Sequence, residues 1–260
     1  MSGDVKLCVG EKRGQVTLFV IVGVLIILAI LVVFFFFGKS IVESVSPFKS
    51  PRTFTEKCIA DSVQLSINSV LENGGLVAPR LPSISYKDHS YNYLCYAKEY
   101  YTKCYNYYPM LSRIAEEQIR QNTVESVEGC FDFLIEDYES RGLDVTEKDL
   151  DYSVEVVPGS VRLRVEKQIS TNTGESSNVF EAYDLKIPSD LFELIEIARN
   201  VVNQEAEFCY FENNGFMVIY PLYNMSRIDY DGSKIYEVEN RKTKEVFKFA
   251  TRSCAYAPGF

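Results

Sequence analysis

Hydrophobic residues follow three patterns in order along the chain: one continuous apolar run, then helical spacing, then strand alternation. The run at residues 16–37 has no charged side chain, and a helix of that length rises about 33 Å, close to the hydrocarbon thickness of a bilayer. A secretory signal has a shorter apolar region, of roughly 7–15 residues, and ends in small residues. This run ends in four phenylalanines. We therefore expect a transmembrane helix over residues 15–38 that remains as an anchor.

Helical spacing follows a linker that is predicted at residues 39–52. Apolar residues recur every three to four positions over about 51–73, and Gly74-Gly75 supplies the stop. A longer helix is predicted over about 110–141, with Gly142 as its C-cap. Two helices are therefore expected at the start of the domain that follows the linker.

Between these helices, residues 86–109 hold nine of the chain's 18 tyrosines. Two short strands, about 91–96 and 103–107, are predicted here, and a Cys95–Cys104 disulfide could close them into a hairpin. The tyrosines could form a recognition surface, because tyrosine combines a large contact area with a polar tip. The alternative is that they cover the edge of a small core, and this is the role that we expect.

Strand alternation, with a period of two, dominates the chain after residue 143. A helix over 190–207 interrupts it, and Asp190 with Glu193 has the form of an N-terminal capping box. The group Asp229-Tyr230-Asp231-Gly232 is expected to form a hairpin turn rather than a calcium loop. The pattern predicts an α+β domain with an antiparallel sheet. The predicted strands are 152–156, 161–165, 179–187, 216–220, 235–239 and 246–250, with a polar loop at 170–178.

The cysteines indicate which side of the membrane this domain occupies. Cys8 alone precedes the apolar run and six cysteines follow it, an even number that is typical of disulfides in an oxidising compartment. Lys12 and Arg13 beside the run favour a cytoplasmic N-terminus, and the sequon Asn224-Met225-Ser226 is compatible with an extracytoplasmic domain. Six cysteines allow 15 connectivities, of which the predicted elements favour Cys58–Cys130, Cys95–Cys104 and Cys209–Cys254.

Charge and motifs argue against several classes of function. The chain carries 27 Lys and Arg against 36 Asp and Glu without a basic stripe, so we expect no nucleic-acid partner. Its one histidine, His89, lies in the tyrosine-rich stretch, and neither a phosphate-binding glycine loop nor a C-x-x-C motif is present. We therefore expect no enzyme, no cofactor and no metal site. An exported enzyme with a carboxylate-lined cleft remains the alternative.

The polar edge of the apolar run carries a specific motif. Lys12-Arg13-Gly14-Gln15, followed at once by the apolar run, resembles the class III signal of archaeal type IV pilin-like proteins. The resemblance implies that a prepilin-type peptidase cuts between Gly14 and Gln15 and that the helix is retained. The fifth mature residue of filament-forming relatives is usually Glu, whereas here it is Phe19, which places filament assembly in doubt. A plain, uncleaved anchor is the alternative.

The layout as a whole resembles uncharacterised single-span surface proteins of archaea. The expected function is that of a membrane-anchored structural or interaction protein of the cell surface, or of a minor component of a pilin-like appendage. The expected partners are the lipid bilayer, the peptidase, and a surface protein or a second copy. A domain facing the cell interior, with reduced cysteines, is a third alternative. The predicted segments are a leader at 1–14, a membrane helix at 15–38, a linker at 39–52, a helical lobe at 53–142 and an α+β lobe at 143–260.

Overall fold

The computed structural model describes residues 51–172, 177–180 and 183–257, together with five helical residues near the start of the chain. Those five are Gly23, Val24 and residues 26–28, and the apolar side chains among them are exposed. Met1–Ser50 and Pro51–Phe260 are two separate compact units. Among the described residues, no helix combines the length and the apolar character that crossing a bilayer requires.

Several of the sequence predictions fall on residues that the structure does not describe. They include the processing position at Gly14 and Gln15, all but five residues of the predicted membrane helix, and nearly all of the linker. These predictions stay predictions.

The second unit is an α+β domain with mostly antiparallel sheets. Along the chain its elements are α1 (Pro51–Glu72), β1 (Ser83–Tyr86), β2 (His89–Tyr96), β3 (Tyr105–Asn106), α2 (Leu111–Ser140), β4 (Asp144–Glu147), β5 (Asp151–Val157), β6 (Ser160–Glu166), β7 (Ile169–Asn172), β8 (Ser177–Phe180), β9 (Tyr183–Pro188), α3 (Leu191–Phe208), α4 (Asn213–Ile219), β10 (Tyr223–Tyr230), β11 (Ser233–Asn240) and β12 (Val246–Arg252).

The largest sheet has six strands, in the order β1-β2-β12-β11-β10, with β3 also paired to β2. The contact between β2 and β12 is parallel, and every other pairing in the sheet is antiparallel. This contact joins the segment before residue 142 to the segment after residue 151. The two predicted lobes, 53–142 and 143–260, therefore both contribute strands to the same sheet.

Two smaller sheets complete the domain, one with the order β5-β6-β9 and one with the order β4-β7-β8. The alternation that predicts β5 and β6 is confirmed, since every second residue of each strand is buried. The predicted polar loop at 170–178 is wrong at both ends, because β7 and β8 pair there. Backbone hydrogen bonds between strands do not require apolar side chains. The polar residues of β7 and β8 therefore do not show the alternation from which a strand is predicted.

The main core lies where α1 and α3 contact strands of both the six-stranded sheet and the β5-β6-β9 sheet. Helical spacing places their fully buried residues on one face of each helix, as the sequence predicts. The first helix stops at Gly74-Gly75; Gly75 has φ +93° and lies so close to Leu111 that a Cβ would come within 2.5 Å of Leu111 Cδ1. The buried helical residues include Ile59, Val63, Ile67, Leu194, Ile195, Ala198 and Val201.

The predicted strand at 216–220 is wrong, because residues 216–219 belong to α4, Tyr220 is the C-cap of this helix, and the strand starts later, at Tyr223. Glu212 provides the reason. Its side chain accepts from the amides of Asn214 and Gly215, which caps a short helix just before the apolar residues. An apolar run of five residues does not by itself distinguish a strand from a short helix.

The predicted capping box at Asp190 and Glu193 is also wrong. Asp190 precedes α3 but makes no side-chain cap hydrogen bond. Its carboxylate instead accepts from Asn240 Nδ2 at 2.8 Å and Thr243 Oγ1 at 2.5 Å. Glu193 accepts from the amide of Gly159 at 3.1 Å. Both acidic side chains therefore hold distant loops in place.

Three disulfides cross-link the domain, and they are the pairs that the predicted elements favour. Cys58–Cys130 joins α1 to α2 with a Cα–Cα distance of 6.1 Å. Cys95–Cys104 closes the segment after β2, with 5.3 Å between Cα atoms. Cys209–Cys254 joins the end of α3 to the residues after β12, at 5.7 Å.

Candidate functional site, a tyrosine-lined cleft

The candidate site lies beside the Cys209–Cys254 disulfide. Cys209 is the C-cap of α3 and has φ +58°, and Cys254 has φ +48°. The left-handed region is unusual for residues other than glycine and is retained where the surrounding structure fixes the backbone. The disulfide and the end of α3 therefore fix the position of both segments that carry the site.

A buried polar network forms the floor of this region, centred on the fully buried carboxylate of Glu205. Tyr236 donates its hydroxyl to Glu205 Oε1 at 2.6 Å, and Lys234 Nζ donates to Oε2 at 2.6 Å. Lys234 Nζ also donates to the carbonyl of Cys209 at 2.5 Å. Ser253 Oγ donates to the Glu205 carbonyl at 2.8 Å. Each polar group of the network has a hydrogen-bond partner, and these hydrogen bonds offset the free-energy cost of burying charged groups.

The network favours a neutral Tyr236 next to the carboxylate of Glu205. Burial raises the pKa of Tyr236 far above its ordinary value, and the negative charge of Glu205 raises it further. The hydroxyl of Tyr236 therefore remains a donor at every physiological pH. We assign this network a structural role, because its groups lie under the surface and are engaged with one another.

Above this floor is an open cleft of about 670 Å³ that aromatic side chains line. Exposed fractions are 48% for Tyr210, 45% for Tyr230, 71% for Tyr256 and 65% for Phe208. Exposure of this degree is unusual for so many large rings in one place, and a contiguous apolar patch commonly marks an interaction surface. We call this region the tyrosine cleft.

Charged groups also line the tyrosine cleft. The guanidinium of Arg227 lies 5.8 Å from the ring centroid of Tyr210, and its Nη2 is 3.5 Å from Asp229 Oδ2. The hydroxyl of Tyr210 donates to the Glu212 carboxylate, and this hydrogen bond raises the pKa of Tyr210. The rings therefore lie beside a mixture of positive and negative groups.

The hairpin turn between β10 and β11 forms one rim of the cleft. Tyr230 pairs with Ser233, which leaves Asp231 and Gly232 as a two-residue loop with φ of +48° and +70°. An Asp-Gly pair with positive φ at both positions is the usual two-residue turn of a β-hairpin. The sequence prediction of a turn at this group is confirmed.

The second half of the tyrosine-rich stretch lies beside the cleft, against the residues that follow Cys254. The amide of Tyr101 donates to the carbonyl of Ala255 at 2.9 Å, and the rings of Tyr101 and Tyr256 are 5.8 Å apart, edge to face. Arg252 lies over the rings of Tyr96 and Tyr100, at 5.9 and 5.0 Å from their centroids. The exposed surface therefore continues from the cleft along residues 100–107.

His89 and its sequence neighbours Asp88 and Ser90 lie outside the cleft. Nε2 of His89 is 3.0 Å from the carbonyl oxygen of Glu72, and its ring packs edge-on against Tyr91 at 4.6 Å. These contacts hold the start of β2 against the end of α1. Within the part of the chain that the structure describes, no three His, Cys, Asp or Glu side chains are grouped as metal ligands.

Parts of the cleft are predictable from the sequence, but their connection is not. The predicted elements pair Cys209 with Cys254 and indicate the turn at Asp229–Gly232, whereas no sequence pattern marks Tyr210, Arg227 or Tyr256. These residues lie far apart along the chain, and the pairing of β10, β11 and β12 together with the Cys209–Cys254 disulfide brings them together. The one available signal was the proximity of each to a cysteine or to the turn.

Comparison with known proteins supplies no relative for this chain: no family model, no curated protein and no solved structure matches it.

Proposed function

We propose that this chain is a membrane-anchored protein of the cell surface whose outer domain binds another protein through the tyrosine cleft. The observation that carries the proposal is the concentration of exposed tyrosines and an arginine on a cross-linked floor. Tyrosine and arginine are the residues enriched in protein–protein interfaces and their hot spots. Rings held on a rigid base lose little conformational freedom when a partner binds.

The membrane anchor in this proposal rests on the sequence. The apolar run at 16–37 is long enough to cross a bilayer. The three disulfides support an oxidising, extracytoplasmic location for the domain, because such bonds are rare in a reducing cytosol. The pilin-like signal adds a minor role in a surface appendage as the specific form of the proposal.

An exported enzyme remains the second candidate, since Asp229 and Asp231 both line the cleft. Asp229 is 63% exposed and lies within 3.5 Å of Arg227. An acid–base pair of carboxylates would need one group shielded from water, so that its pKa rises. The exposure of Asp229 therefore favours recognition over catalysis.

The binding role is tested by placing a photo-crosslinking amino acid at Tyr256 in the full chain, in native membranes. Position 65 is the control, because Leu65 is 69% exposed on α1 and lies outside the cleft. We expect one protein adduct of defined mass from position 256, lost when Tyr210 and Tyr230 are both changed to Ala. Equal adducts from both positions, or none from position 256, contradict the binding role.

The anchor is tested by mass spectrometry of the N-terminal peptide from native membranes, together with thiol alkylation of intact cells. A peptide that starts at Gln15 supports pilin-like processing, and one that retains residues before Lys12 supports a plain anchor. Resistance of the six distal cysteines to alkylation until a reductant is added supports the proposed disulfides. A full-length chain that is free in the cytosol, with reduced cysteines, contradicts the whole proposal.

A further inference from the structure

The last strand of the large sheet, β10, has an edge that faces away from β11. The amide of Tyr223 donates to the carbonyl of Tyr220 at 3.0 Å, and the amide of Met225 donates to Met217 Sδ at 3.2 Å. Both amides therefore point away from β11, and α4 with the residues after it covers this first half of the edge.

The second half of the same edge is open. Backbone groups of alternate residues in an antiparallel strand point to the same side, so the amides of Arg227 and Asp229 face outward like that of Met225. Within the described residues, neither amide donates a hydrogen bond outside its own sheet. Arg227, Asp229 and Tyr230 also line the tyrosine cleft, so the open edge and the cleft form one surface.

The charges along this open edge are complementary to those on the same edge of a second copy of the chain. Arg227 and Asp229 are two residues apart, on the same face of β10, and carry opposite charges. When two such strands run antiparallel about Ile228, Arg227 of each lies opposite Asp229 of the other. The backbone amides and carbonyls of Arg227 and Asp229 point out of the sheet edge. The register that pairs their charges therefore also allows backbone hydrogen bonds between the two copies.

We propose that a second copy of this chain binds here, by antiparallel pairing of the two β10 edges about Ile228. This deepens the proposed function and rests on it, since it names the partner of the tyrosine cleft. An open edge strand readily pairs with another chain, and a twofold interface repeats each contact. Pairing makes one continuous sheet from the two domains.

The pairing is tested with Arg227→Glu and Asp229→Arg, each in the detergent-solubilised full chain, by size-exclusion chromatography with light scattering. Each single variant places like charges opposite one another twice, so we expect association at least about tenfold weaker than in the unchanged chain. An equal mixture of the two variants puts the acidic pair of one opposite the basic pair of the other. We therefore expect the mixture to associate as tightly as the unchanged chain.

The mixture separates pairing between chains from the contact within one chain. Arg227 and Asp229 approach each other in the monomer, and both single variants lose that contact. If the contact within one chain alone controlled association, mixing the two variants would not restore association. Absence of recovery in the mixture, or unweakened association of either single variant, overturns the proposal.

The register is tested separately in native membranes by an oxidative cross-link at Ile228→Cys. Residues opposite each other without mutual backbone bonds have Cα atoms about 4.5 Å apart, which is within the range that a disulfide spans. Ser226→Cys is the matched control, because in this register residue 226 faces residue 230 of the other copy. We expect a covalent dimer from position 228 and none from position 226.

The outcomes distinguish this inference from the proposed function. If position 228 gives no dimer while the crosslinker at position 256 captures a different protein, the self-pairing is wrong and the binding role stands. If position 256 captures nothing and the chain is monomeric, the self-pairing and the binding role both fail.

Discussion

The two halves of the tyrosine-rich stretch have nearly the same composition and opposite environments. In the first half, five consecutive residues of β2, from Tyr91 to Cys95, are buried. In the second half, Tyr100, Tyr101, Tyr105 and Tyr107 are 43 to 72% exposed. The interpretation that these tyrosines cover a core therefore describes the first half, whereas the second half is exposed and its role in recognition stays a prediction.

The difference follows from backbone pairing. The strand β2 lies inside the sheet, with β1 and β3 on one side and β12 on the other. Its residues belong to both buried clusters of the domain, so its side chains are covered on both faces. Tyr91 and Tyr93 then meet polar partners, as their hydroxyls lie 2.7 Å from Glu237 Oε1 and Ser233 Oγ. Within residues 97–109 only Tyr105–Asn106 is in a strand, and that strand pairs on one side alone, with β2. A tyrosine of this stretch is therefore buried where its strand lies inside the sheet, whereas Tyr105, in a short edge strand, is 72% exposed.

Truncating one ring in each half tests the difference between the two halves most strongly. Tyr93→Ala removes a ring that is 6% exposed, and we expect a loss of about 3–5 kcal/mol in the free energy of unfolding. Tyr105→Ala, at 72% exposure, is the matched control and should change it by less than about 0.5 kcal/mol. Urea unfolding followed by circular dichroism measures both. Equal losses of unfolding free energy in the two variants would contradict the difference between the two halves.

The next largest effect concerns the link between the two halves, the Cys95–Cys104 disulfide. Changing both cysteines to Ala releases a short loop, and we expect about 2–3 kcal/mol less stability in the chain-entropy model. Hydrogen exchange should quicken at Tyr105–Tyr107 more than in β2, which sheet pairing still holds. Exchange that quickens equally in both segments would contradict this separation.

Alkaline pH gives a third test, because burial raises the pKa of Tyr93, Tyr152 and Tyr236. In the unfolded chain tyrosine ionises near pH 10, so above that pH the unfolded state releases protons that the folded state keeps. Stability is therefore complete below about pH 10 and falls as pH rises, by at most about 1.4 kcal/mol per pH unit for each such tyrosine. Urea midpoints from pH 8 to pH 11 measure this. A flat profile would contradict it.

The smallest effect is that of one hydroxyl group. Tyr93→Phe keeps the ring and loses the contact with Ser233, so we expect about 1 kcal/mol of destabilisation. Tyr107→Phe, on the exposed half, should leave the urea midpoint unchanged. The Tyr93 variant should also show a shallower decline above pH 10, and an unaltered slope would argue that other tyrosines dominate it.

Much of the fold could be predicted because its signals are local. The helical spacing before Gly74-Gly75 and the alternation around Pro158-Gly159 each reflect one buried face. The six distal cysteines pair as the predicted elements favour, since each pair either closes a short segment or joins two neighbouring elements.

The failures occurred where a contact from outside the segment decided its local structure. Asp190 has the pattern of a helix cap, but the Asn240–Thr243 turn uses its carboxylate. Residues 216–220 have the pattern of a strand, but a cap from Glu212 makes 216–219 helical. The tyrosine cleft was beyond prediction for the same reason, because Tyr210, Arg227 and Tyr256 become neighbours through the pairing of β10, β11 and β12 together with the disulfide beside the cleft.

The parallel contact between β2 and β12 also sets the order of events during synthesis. Arg252 Nη1 donates to the carbonyl of Ala97, which precedes it by 155 residues. Contacts between such distant residues slow folding, because a long loop must close before the contact forms. The inner strand of the tyrosine-rich stretch therefore cannot complete its pairing until β12, about 155 residues later in the chain, has emerged from the ribosome. A nascent chain halted before Val246 would leave that strand without its parallel neighbour, open to proteases and to chaperones.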